Sequence, residues 1–210
     1  MRSRTKTTAG ADFAVEQSVM ADGYRRIAGV DEVGRGPLAG PVAAAAVILN
    51  PDRPIDGLAD SKDLSPAMRE RLFARIVAEA TVAVSFVPAA TIDRTDIRKA
   101  ALAAMRSALA GLAVPADFAL IDGRDIPPGL AIPARAIIGG DGVSASIAAA
   151  SIVAKVLRDR MMERADTAFS GYDFGRHAGY GTARHRAAIA RLGASPIHRL
   201  SFAPFKNGTP

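Results

Sequence analysis

Short apolar runs alternate along the chain with segments of helical spacing. The runs are rich in Val, Ile and Ala, which is typical of buried strands, and they predict strands at 27–33, 42–49, 81–87, 118–121 and 131–138. Apolar residues on one helical face predict helices over 66–79, 91–112, 143–165 and 182–192. Strands that come first and then alternate with helices indicate an α/β fold, a mixed sheet flanked by helices.

The first part of the chain lacks any clear period. We therefore expect residues 1–23 to be a flexible tail and residues 24–210 to form one domain that includes a helical C-terminal segment. A length of 210 residues with 49% hydrophobic residues is enough for one core. Because 44 of the residues are alanine, the helices should lie very close to the sheet.

Several classes of protein are disfavoured by what the sequence lacks. It has no cysteine, which excludes a disulfide scaffold, a Cys-ligated zinc site and a thiol nucleophile. No apolar stretch approaches the ~20 residues of a membrane span, and no signal peptide is evident. Glycine-rich nucleotide-binding loops are also absent. The sequence predicts a soluble cytoplasmic protein without a membrane partner.

The positive charge is concentrated at one end of the chain. The net charge is +6, and residues 1–154 contribute nothing to it, because their 17 basic and 17 acidic residues cancel. The excess lies in residues 155–210, and no acidic residue follows Asp173. A basic segment on a neutral body indicates a polyanionic partner, and nucleic acid is the first candidate.

Carboxylates follow three of the predicted strands and are flanked by glycine. They are Asp31 and Glu32, Asp122, and Asp141. Ligand sites of open α/β sheets form at strand ends, and clustered carboxylates repel one another unless a cation joins them. Oxygen ligands of this kind suit Mg²⁺ or Mn²⁺, and a pair of such ions can clamp a phosphodiester for hydrolysis.

Each acid also has a purely structural alternative. Asp141 fits the N-cap of the following helix, with Ser144 at the third position, and Asp122 fits a turn before Gly123. Two adjacent acids in an apolar strand, in contrast, cannot both face solvent. Taken jointly, the four acids favour a metal site.

Several motifs occur in an order that resembles the ribonuclease HII family, the type 2 ribonucleases H. The blocks run from about residue 25 to residue 205. They are Ala28-Gly29-Val30-Asp31-Glu32-Val33-Gly34-Arg35-Gly36-Pro37-Leu38-Ala39-Gly40-Pro41-Val42, Asp60-Ser61-Lys62, Ile121-Asp122-Gly123, Gly140-Asp141, Ala149-Ala150-Ser151-Ile152-Val153-Ala154-Lys155, Gly179-Tyr180-Gly181-Thr182 with His185, and Pro196-Ile197-His198-Arg199.

This resemblance implies a fold, an activity and a metal site. The fold would be RNase H-like with a small C-terminal helical part, and residues 24–210 would be the type 2 catalytic domain. The activity would be endonucleolytic cleavage of RNA in RNA–DNA hybrids and 5′ to single ribonucleotides in DNA, leaving 3′-hydroxyl and 5′-phosphate ends. The metal-binding acids would be Asp31, Glu32, Asp122 and Asp141, with Mn²⁺ or Mg²⁺ as the cofactor.

The resemblance also implies residues that read the sugar. Gly34-Arg35-Gly36 would contact the 2′-hydroxyl through its backbone, which glycine allows to approach closely. Tyr180 would stack on the deoxyribose that follows the ribonucleotide. The alternatives are a tight glycine turn with a solvated Arg35, and a half-buried tyrosine that anchors its loop.

Further contacts would reach the phosphate backbone. Ser151, Lys155 and Arg158 fall on one face of a helix, although Lys155 could instead pair with Asp159. Ser61-Lys62, in the loop before the second predicted structural unit, is another phosphate-contact candidate. The three histidines, His177, His185 and His198, are expected at a helix surface or against nucleic acid.

Two segments depart from the family pattern, and two alternative functions stay open. His177-Ala178 stands where the family often has Asn-Lys, and Asp63 stands where a basic residue is usual. A non-catalytic hybrid-binding module and another RNase H-like DNA nuclease are the alternative functions. The sequence predicts a monomer and leaves open whether a sliding clamp recruits it.

Overall fold

The two central strands bury both of their faces because small apolar residues occupy nearly every position. The computed structural model describes residues 10–207. In it β1 (Ile27–Val33) carries Ile-Ala-Gly-Val before its acids, and β2 (Val42–Ile48) reads Val-Ala-Ala-Ala-Ala-Val-Ile. Strands that are buried on both faces read as continuous apolar runs rather than as an alternation. Helices must therefore cover both sides of this sheet.

The sheet is mixed and has five strands in the order β3-β2-β1-β4-β5. The pairs β1–β2 and β2–β3 are antiparallel, whereas β4 and β5 join parallel to β1. The other strands are β3 (Thr81–Val87), β4 (Phe118–Asp122) and β5 (Ala134–Ile137). The helices are α1 (Ala14–Ala21), α2 (Pro66–Glu79), α3 (Ala89–Arg94), α4 (Ile97–Ala110), α5 (Ala145–Ala168), α6 (Phe174–His177) and α7 (Ala183–Leu192).

Two hydrophobic layers sandwich the sheet, as the pattern predicted. Alternate residues of β2 point to opposite faces: Ala45 and Val47 join α2 and α5 in one core cluster, and Ala44 and Ala46 join α4 in the other. The expected close packing is confirmed at Gly29, where an added Cβ would lie 2.1 Å from the Ser146 carbonyl carbon of α5. The backbones of β1 and α5 are thus in direct contact.

The structure corrects the prediction of a flexible tail over residues 1–23. Residues 14–21 form α1, and Val19 of this helix is fully buried against Ile27 and Phe118. The weak amphipathic pattern of an eight-residue helix conceals it in the sequence. Residues 1–9 lie outside the described part of the chain.

The predicted helix over 91–112 is in fact two helices. The chain breaks after α3 because Thr95 leaves the helical conformation, and the Asp96 side chain then accepts a hydrogen bond from Lys99 N at 2.8 Å to begin α4. Asp and Thr favour such caps over helix interiors. Ser65 and Thr182 cap α2 and α7, where their side chains accept hydrogen bonds from Met68 N and His185 N.

The small C-terminal helical part packs beside the end of α5. Met162 of α5 joins Phe174, Ala188 and Ile189 in a separate hydrophobic cluster. Ala39, from the turn between β1 and β2, completes it. This cluster therefore fixes α6 and α7 against the turn that follows the acidic strand. Within residues 10–207, no helix is long and apolar enough to cross a bilayer.

Candidate active site

The acids of β1 lie at the end of the pairing between β1 and its parallel neighbour β4. Val30 is the last residue that β1 pairs with β4, opposite Ile121, so Asp31 and Glu32 extend beyond the pairing while Asp122 ends β4. Parallel neighbours bring their carboxyl ends to the same edge. The convergence of these three carboxylates, which the strand ends predict from sequence, is thus confirmed.

The geometry of the three carboxylates suits a hard cation. Asp31, Glu32 and Asp122 each offer one oxygen, and these oxygens all lie within 4.8 Å of one another. Asp31 is buried and the other two are half-buried. A set of carboxylate oxygens without nitrogen or sulfur is the donor set that Mg²⁺ and Mn²⁺ prefer. The residues present therefore fit the divalent metal that the sequence predicts.

Asp141 reaches the same region from the turn before α5. It lies in a single 3₁₀ turn, Gly140–Gly142, and the N–H of Gly140 donates to Asp122 Oδ1 at 2.7 Å. The N-cap of α5 is Ser144, which accepts a hydrogen bond from Ile147 N. The alternative in which Asp141 caps the helix is therefore wrong, and its carboxylate is available to the site.

Burial and mutual repulsion disfavour the charged forms of these acids. Burial, followed by the charges of Glu32 and Asp122, raises the pKa of Asp31 well above its usual value, and a hydrogen bond from Ser151 offsets only part of this. Burial also raises the pKa of Glu32, although Arg35 opposes the change. Burial and then Asp60 and Asp122 raise the pKa of Asp141 to about 6. A bound cation would relieve this repulsion.

The loop before α2 adds a carboxylate, Asp60, that was not among the predicted metal ligands. Asp60 interacts with Asp141, and Lys62 Nζ lies 3.5 Å from Asp60 Oδ1 and 3.9 Å from Asp141 Oδ2. Arg69 of α2 fixes this loop by donating to the carbonyls of Ser61 and Leu64. Asp60 belongs to the Asp60-Ser61-Lys62 motif of the family resemblance, but no strand-end pattern in the sequence places its carboxylate beside the other acids.

Ser151 is the member of the predicted phosphate-binding stripe that faces the acids. It is buried, it donates a hydrogen bond to Ser61 Oγ at 2.9 Å, and its hydroxyl lies near enough to Asp31 to lower the pKa of that acid. Lys155 forms the alternative pair with Asp159, at 2.8 Å. The stripe therefore links the metal-site strand to the 60–62 loop through a serine.

Arg158 corrects the prediction that it contacts a phosphate. Its side chain is fully buried and donates to the carbonyls of Pro41, Ala178 and Ala39. It points inward because α5 is covered at this position by the 34–41 turn and the C-terminal helices. Its partners are backbone carbonyls, which every residue possesses. The burial of Arg158 therefore could not be predicted from the types of residue around it.

The turn after β1 brings the proposed sugar-reading residues together. Gly34 has φ +91°, a conformation that favours glycine, and a Cβ added at Gly36 would lie 3.5 Å from Cε1 of Tyr180. The Tyr180 side chain is 44% exposed beside this turn. Arg35 pairs with Glu32 at 3.3 Å, so its guanidinium is only partly solvated.

A second buried arginine secures this turn from the C-terminal segment. Arg199 donates to the carbonyl of Gly34 at 2.6 Å, to that of Arg35 at 2.9 Å and to that of Gly40 at 2.9 Å. Burial, and then the neighbouring Arg158, lowers the pKa of Arg199 to about 9. Five N–H donors in a rigid fork allow one guanidinium to hold several carbonyls at once.

Two of the three histidines lie in the interior rather than at the predicted surface, and His177 is half-buried. His185 and His198 are buried, and their Nε2 atoms are 3.0 Å apart. His185 Nδ1 faces the Tyr180 carbonyl and must donate to it, whereas His198 Nδ1 accepts from Ser195 N. His198 Nε2–H therefore donates to His185. This neutral pair anchors the backbone of Tyr180.

The buried pair should make stability fall at mildly acidic pH. Burial and then His185 lower the pKa of His198 from 6.5 to about 4. Below pH 6.5 the His198 ring is therefore protonated in the unfolded chain but stays neutral in the folded chain. The contribution of neutral His198 to the free energy of unfolding is complete above pH 6.5. It is lost as the pH falls toward 4, by about 3 kcal/mol for His198 alone.

Urea unfolding curves of the wild type and His198→Asn between pH 7.5 and 4.5 test this. The variant lacks the titrating ring, so its free energy of unfolding should fall less steeply over this range, although it is lower at pH 7.5. Protonation of carboxylates affects both proteins and cancels in the difference. Parallel pH dependences for the two proteins would contradict the assignment of the effect to His198.

A mixed sheet with carboxylates converging at the ends of its central strands defines a class of enzyme, the metal-dependent nucleases of RNase H-like fold. A family model described as ribonuclease HII matches residues 28–205. The chain belongs to the ribonuclease HII family. The predicted fold and enzyme class are thereby confirmed, and the chain is a metal-dependent endonuclease for RNA in RNA–DNA hybrids.

Curated relatives support the same membership over nearly the whole chain. Ribonuclease HII of Sinorhizobium fredii is 58% identical over 195 residues, which cover 93% of this chain and 84% of the relative. Ribonuclease HII of Rhizobium leguminosarum is 56% identical over 195 residues, covering 93% and 85%. Identity of this extent also weighs against the DNA-nuclease and binding-module alternatives.

Solved structures agree with the fold. Ribonuclease H2 of Pyrococcus horikoshii has a TM-score of 0.73 and 25% identity, and the match covers 87% of this chain and 96% of that one. RNase HII of Archaeoglobus fulgidus, solved in a complex with PCNA, has a TM-score of 0.73 and 27% identity, with 85% and 95% covered.

Proposed function

We propose that this nuclease cuts on the 5′ side of a ribonucleotide, both in RNA–DNA hybrids and at single ribonucleotides in duplex DNA. Asp31, Glu32, Asp122 and Asp141 would hold its metal ions, Mg²⁺ or Mn²⁺. The observation that carries this proposal is the convergence of the first three carboxylates within 4.8 Å at the strand ends. The raised pKa values of Asp31 and Asp141 support it, because these acids need a cation to ionise together.

The residues of the chain would divide the work between holding metal and orienting the phosphate. Divalent ions in such a site supply an activated water and stabilise the charge on the leaving 3′-oxygen. Asp31 accepts a hydrogen bond from Glu32 N at 2.7 Å, and Asp122 accepts one from Gly140 N at 2.7 Å. These contacts fix the carboxylates before substrate arrives, and a fixed polar site needs little reorganisation in the transition state. The products would carry a 3′-hydroxyl and a 5′-phosphate.

Recognition of the sugar would come from the Gly34–Gly36 turn and Tyr180. Backbone groups of a glycine turn can approach a ribose closely, and only a 2′-hydroxyl both donates and accepts there. The exposed ring of Tyr180 beside Gly36 supports a stacking role on the next sugar. Arg199 holds the backbone of the Gly34–Gly36 turn, and His185 holds the backbone of Tyr180. The turn and the tyrosine ring therefore keep a fixed spacing.

Contacts with the phosphate backbone would be made by the basic residues around this site. Lys62 is 78% exposed and close to the acids, so it can reach a phosphate while its pKa stays raised by Asp60 and Asp141 against the effect of partial burial. Lys155 remains a candidate, although it is paired with Asp159. The exposed arginines of the C-terminal part would bind the duplex at a distance from the acids: Arg176, Arg184, Arg186 and Arg191.

A duplex containing one ribonucleotide tests the proposal directly. The labelled duplex is incubated with the protein and Mg²⁺ or Mn²⁺, beside an all-DNA duplex, an RNA–DNA hybrid and an EDTA control. We expect one cut 5′ to the ribonucleotide, cutting of the hybrid, and no cutting in the other two. Cutting of the all-DNA duplex would contradict the reading of the 2′-hydroxyl. Cutting of the hybrid without the single ribonucleotide would restrict the substrate to longer RNA.

The partners and location of the enzyme stay predictions. We expect a cytoplasmic monomer. The Archaeoglobus relative is complexed with PCNA, which supports a sliding clamp as a recruiting partner here. Gel filtration with a purified clamp tests this, and co-elution is the expected result.

A further inference from the structure

A buried carboxylate outside the acidic cluster binds the start of α5. Glu16 of α1 is fully buried. Its Oε1 accepts hydrogen bonds from Ser144 Oγ at 2.6 Å, from Ser146 N at 2.8 Å and from Ser146 Oγ at 2.5 Å. Three donors on one oxygen make this the most heavily bonded carboxylate atom in the described part of the chain. Glu16 also lies outside residues 28–205, which the family model matches.

The donors belong to the segment that follows Asp141. Ser144 N donates to the carbonyl of Gly140 at 2.8 Å, which closes the turn that contains Asp141. Next to these contacts, Ala145 N donates to the carbonyl of Asp12 at 2.8 Å. One end of the segment is therefore held by Asp122 through Gly140 N, and the other end is held by α1.

Burial of a carboxylate is a costly way to attach a helix. The second oxygen of Glu16, Oε2, is buried and has no hydrogen-bond partner among residues 10–207. Buried polar groups without partners are rare and call for an explanation. Docking of α1 already has an apolar anchor in Val19, which packs with Ile27 and Ile147. The glutamate is thus not needed merely to bury this helix.

We propose that Glu16 is a positioning residue for the metal site, acting on Asp141 through the first turn of α5. By holding Ser144 and Ser146, it fixes the 140–146 segment so that Asp141 faces Asp122 and Asp31. This inference rests on the proposed role of Asp141 as a metal ligand. Residues that orient metal ligands from behind typically change metal affinity or activity by 10–100-fold when they are removed.

Calorimetric titration of the full-length protein with Mn²⁺ tests the inference, with thermal melts in EDTA as a parallel readout. Glu16→Ala should weaken Mn²⁺ binding by about tenfold. Glu16→Gln should restore most of it, because an amide oxygen can accept the same three hydrogen bonds. Val19→Ala is the matched control: it loosens the same helix without touching Ser144 or Ser146, so it should lower the melting temperature and leave Mn²⁺ affinity near that of the wild type.

Cleavage measured against Mn²⁺ concentration gives a second signature. Glu16→Ala should need more Mn²⁺ for half-maximal activity but should approach the wild-type rate at saturation. If Glu16→Ala does not fold, Ser146→Ala is the test variant, because it removes only one of the three hydrogen bonds to Glu16. It should weaken Mn²⁺ binding by less than the tenfold expected for Glu16→Ala.

Three results would overturn the inference. The first is an unchanged Mn²⁺ affinity in Glu16→Ala. The second, if Glu16→Ala does not fold, is an unchanged Mn²⁺ affinity in Ser146→Ala. The third is an equal loss of Mn²⁺ affinity in Glu16→Ala and Val19→Ala. A wild-type protein that neither binds Mn²⁺ nor cuts a hybrid would instead contradict the proposed function itself.

Discussion

Asp31→Asn is expected to remove nearly all cleavage activity while stabilising the metal-free protein. Asp31 is the most buried of the clustered acids, and burial and then Glu32 and Asp122 raise its pKa. An amide of the same shape removes the repulsion with both neighbours, so the melting temperature in EDTA should rise by at least about 2–4 °C, the scale of 1 kcal/mol in a protein of this size. It also removes a charged metal ligand.

The loss of turnover should be on the order of 10³-fold, the upper range for losing one group that stabilises developing charge. It is measured as kcat on an RNA–DNA hybrid at saturating Mn²⁺. Binding of the hybrid, measured by fluorescence anisotropy in Ca²⁺, should change little, because the turn at Gly34–Gly36 and the basic C-terminal residues are intact. Asp52→Asn is a matched control, because Asp52 is exposed in the loop after β2. It should leave both turnover and stability unchanged.

Two outcomes would contradict this account of Asp31. A lower melting temperature in EDTA would mean that its carboxylate is satisfied within the protein and is not waiting for a cation. An equal loss of hybrid binding and turnover would mean that Asp31 serves substrate affinity rather than the chemical step. The stability readout and the binding readout are therefore independent tests of the same carboxylate.

The acids could be predicted from sequence because their signal is local. An apolar run that ends in a carboxylate and glycine indicates a strand end, and neighbouring strand ends meet at one edge of a sheet. Register then explains why Asp31 and Asp122 meet: Val30 pairs with Ile121, one residue before each of them. No such local signal placed Asp60, which comes from a loop whose path depends on Arg69 and on two backbone carbonyls.

Buried polar residues of the C-terminal half could not be predicted because burial there is set by distant parts of the chain. The first ten residues of α5 are all buried, so this helix has no polar face from which orientation can be read. Arg158 is satisfied by carbonyls about 20 and 117–119 residues away, and His185 by His198 and a carbonyl. Glu16 is likewise bonded to residues 128–130 positions away. Only the assembled fold reveals such partners.

Gly29→Ala is expected to destabilise the protein by about 4 kcal/mol or more, the range reserved for severe core disruption. The new Cβ would lie 2.1 Å from the carbonyl carbon and 2.4 Å from the oxygen of Ser146, and 2.3 Å from Ile147 N. These are backbone atoms of α5, so no side chain can rotate away to make room. The helix must therefore move away from β1. This cost is larger than the benefit of replacing glycine by alanine within a strand. Urea unfolding measures the loss.

The same shift should also damage the metal site, because β1 carries Asp31 and α5 is joined directly to the turn of Asp141. Any Gly29→Ala protein that remains folded at low temperature should therefore bind Mn²⁺ more weakly than the wild type. Gly36→Ala is the contrasting substitution: its Cβ would make only an ordinary contact, 3.5 Å from Tyr180 Cε1. We expect it to fold with a free energy of unfolding within about 0.5 kcal/mol of the wild type and to bind Mn²⁺ normally, while cleaving ribonucleotide-containing DNA poorly. If Gly29→Ala were as stable as Gly36→Ala, the direct backbone contact between β1 and α5 would be refuted. The explanation of how Asp31 on β1 and Asp141 in the turn before α5 keep a fixed spacing would be refuted with it.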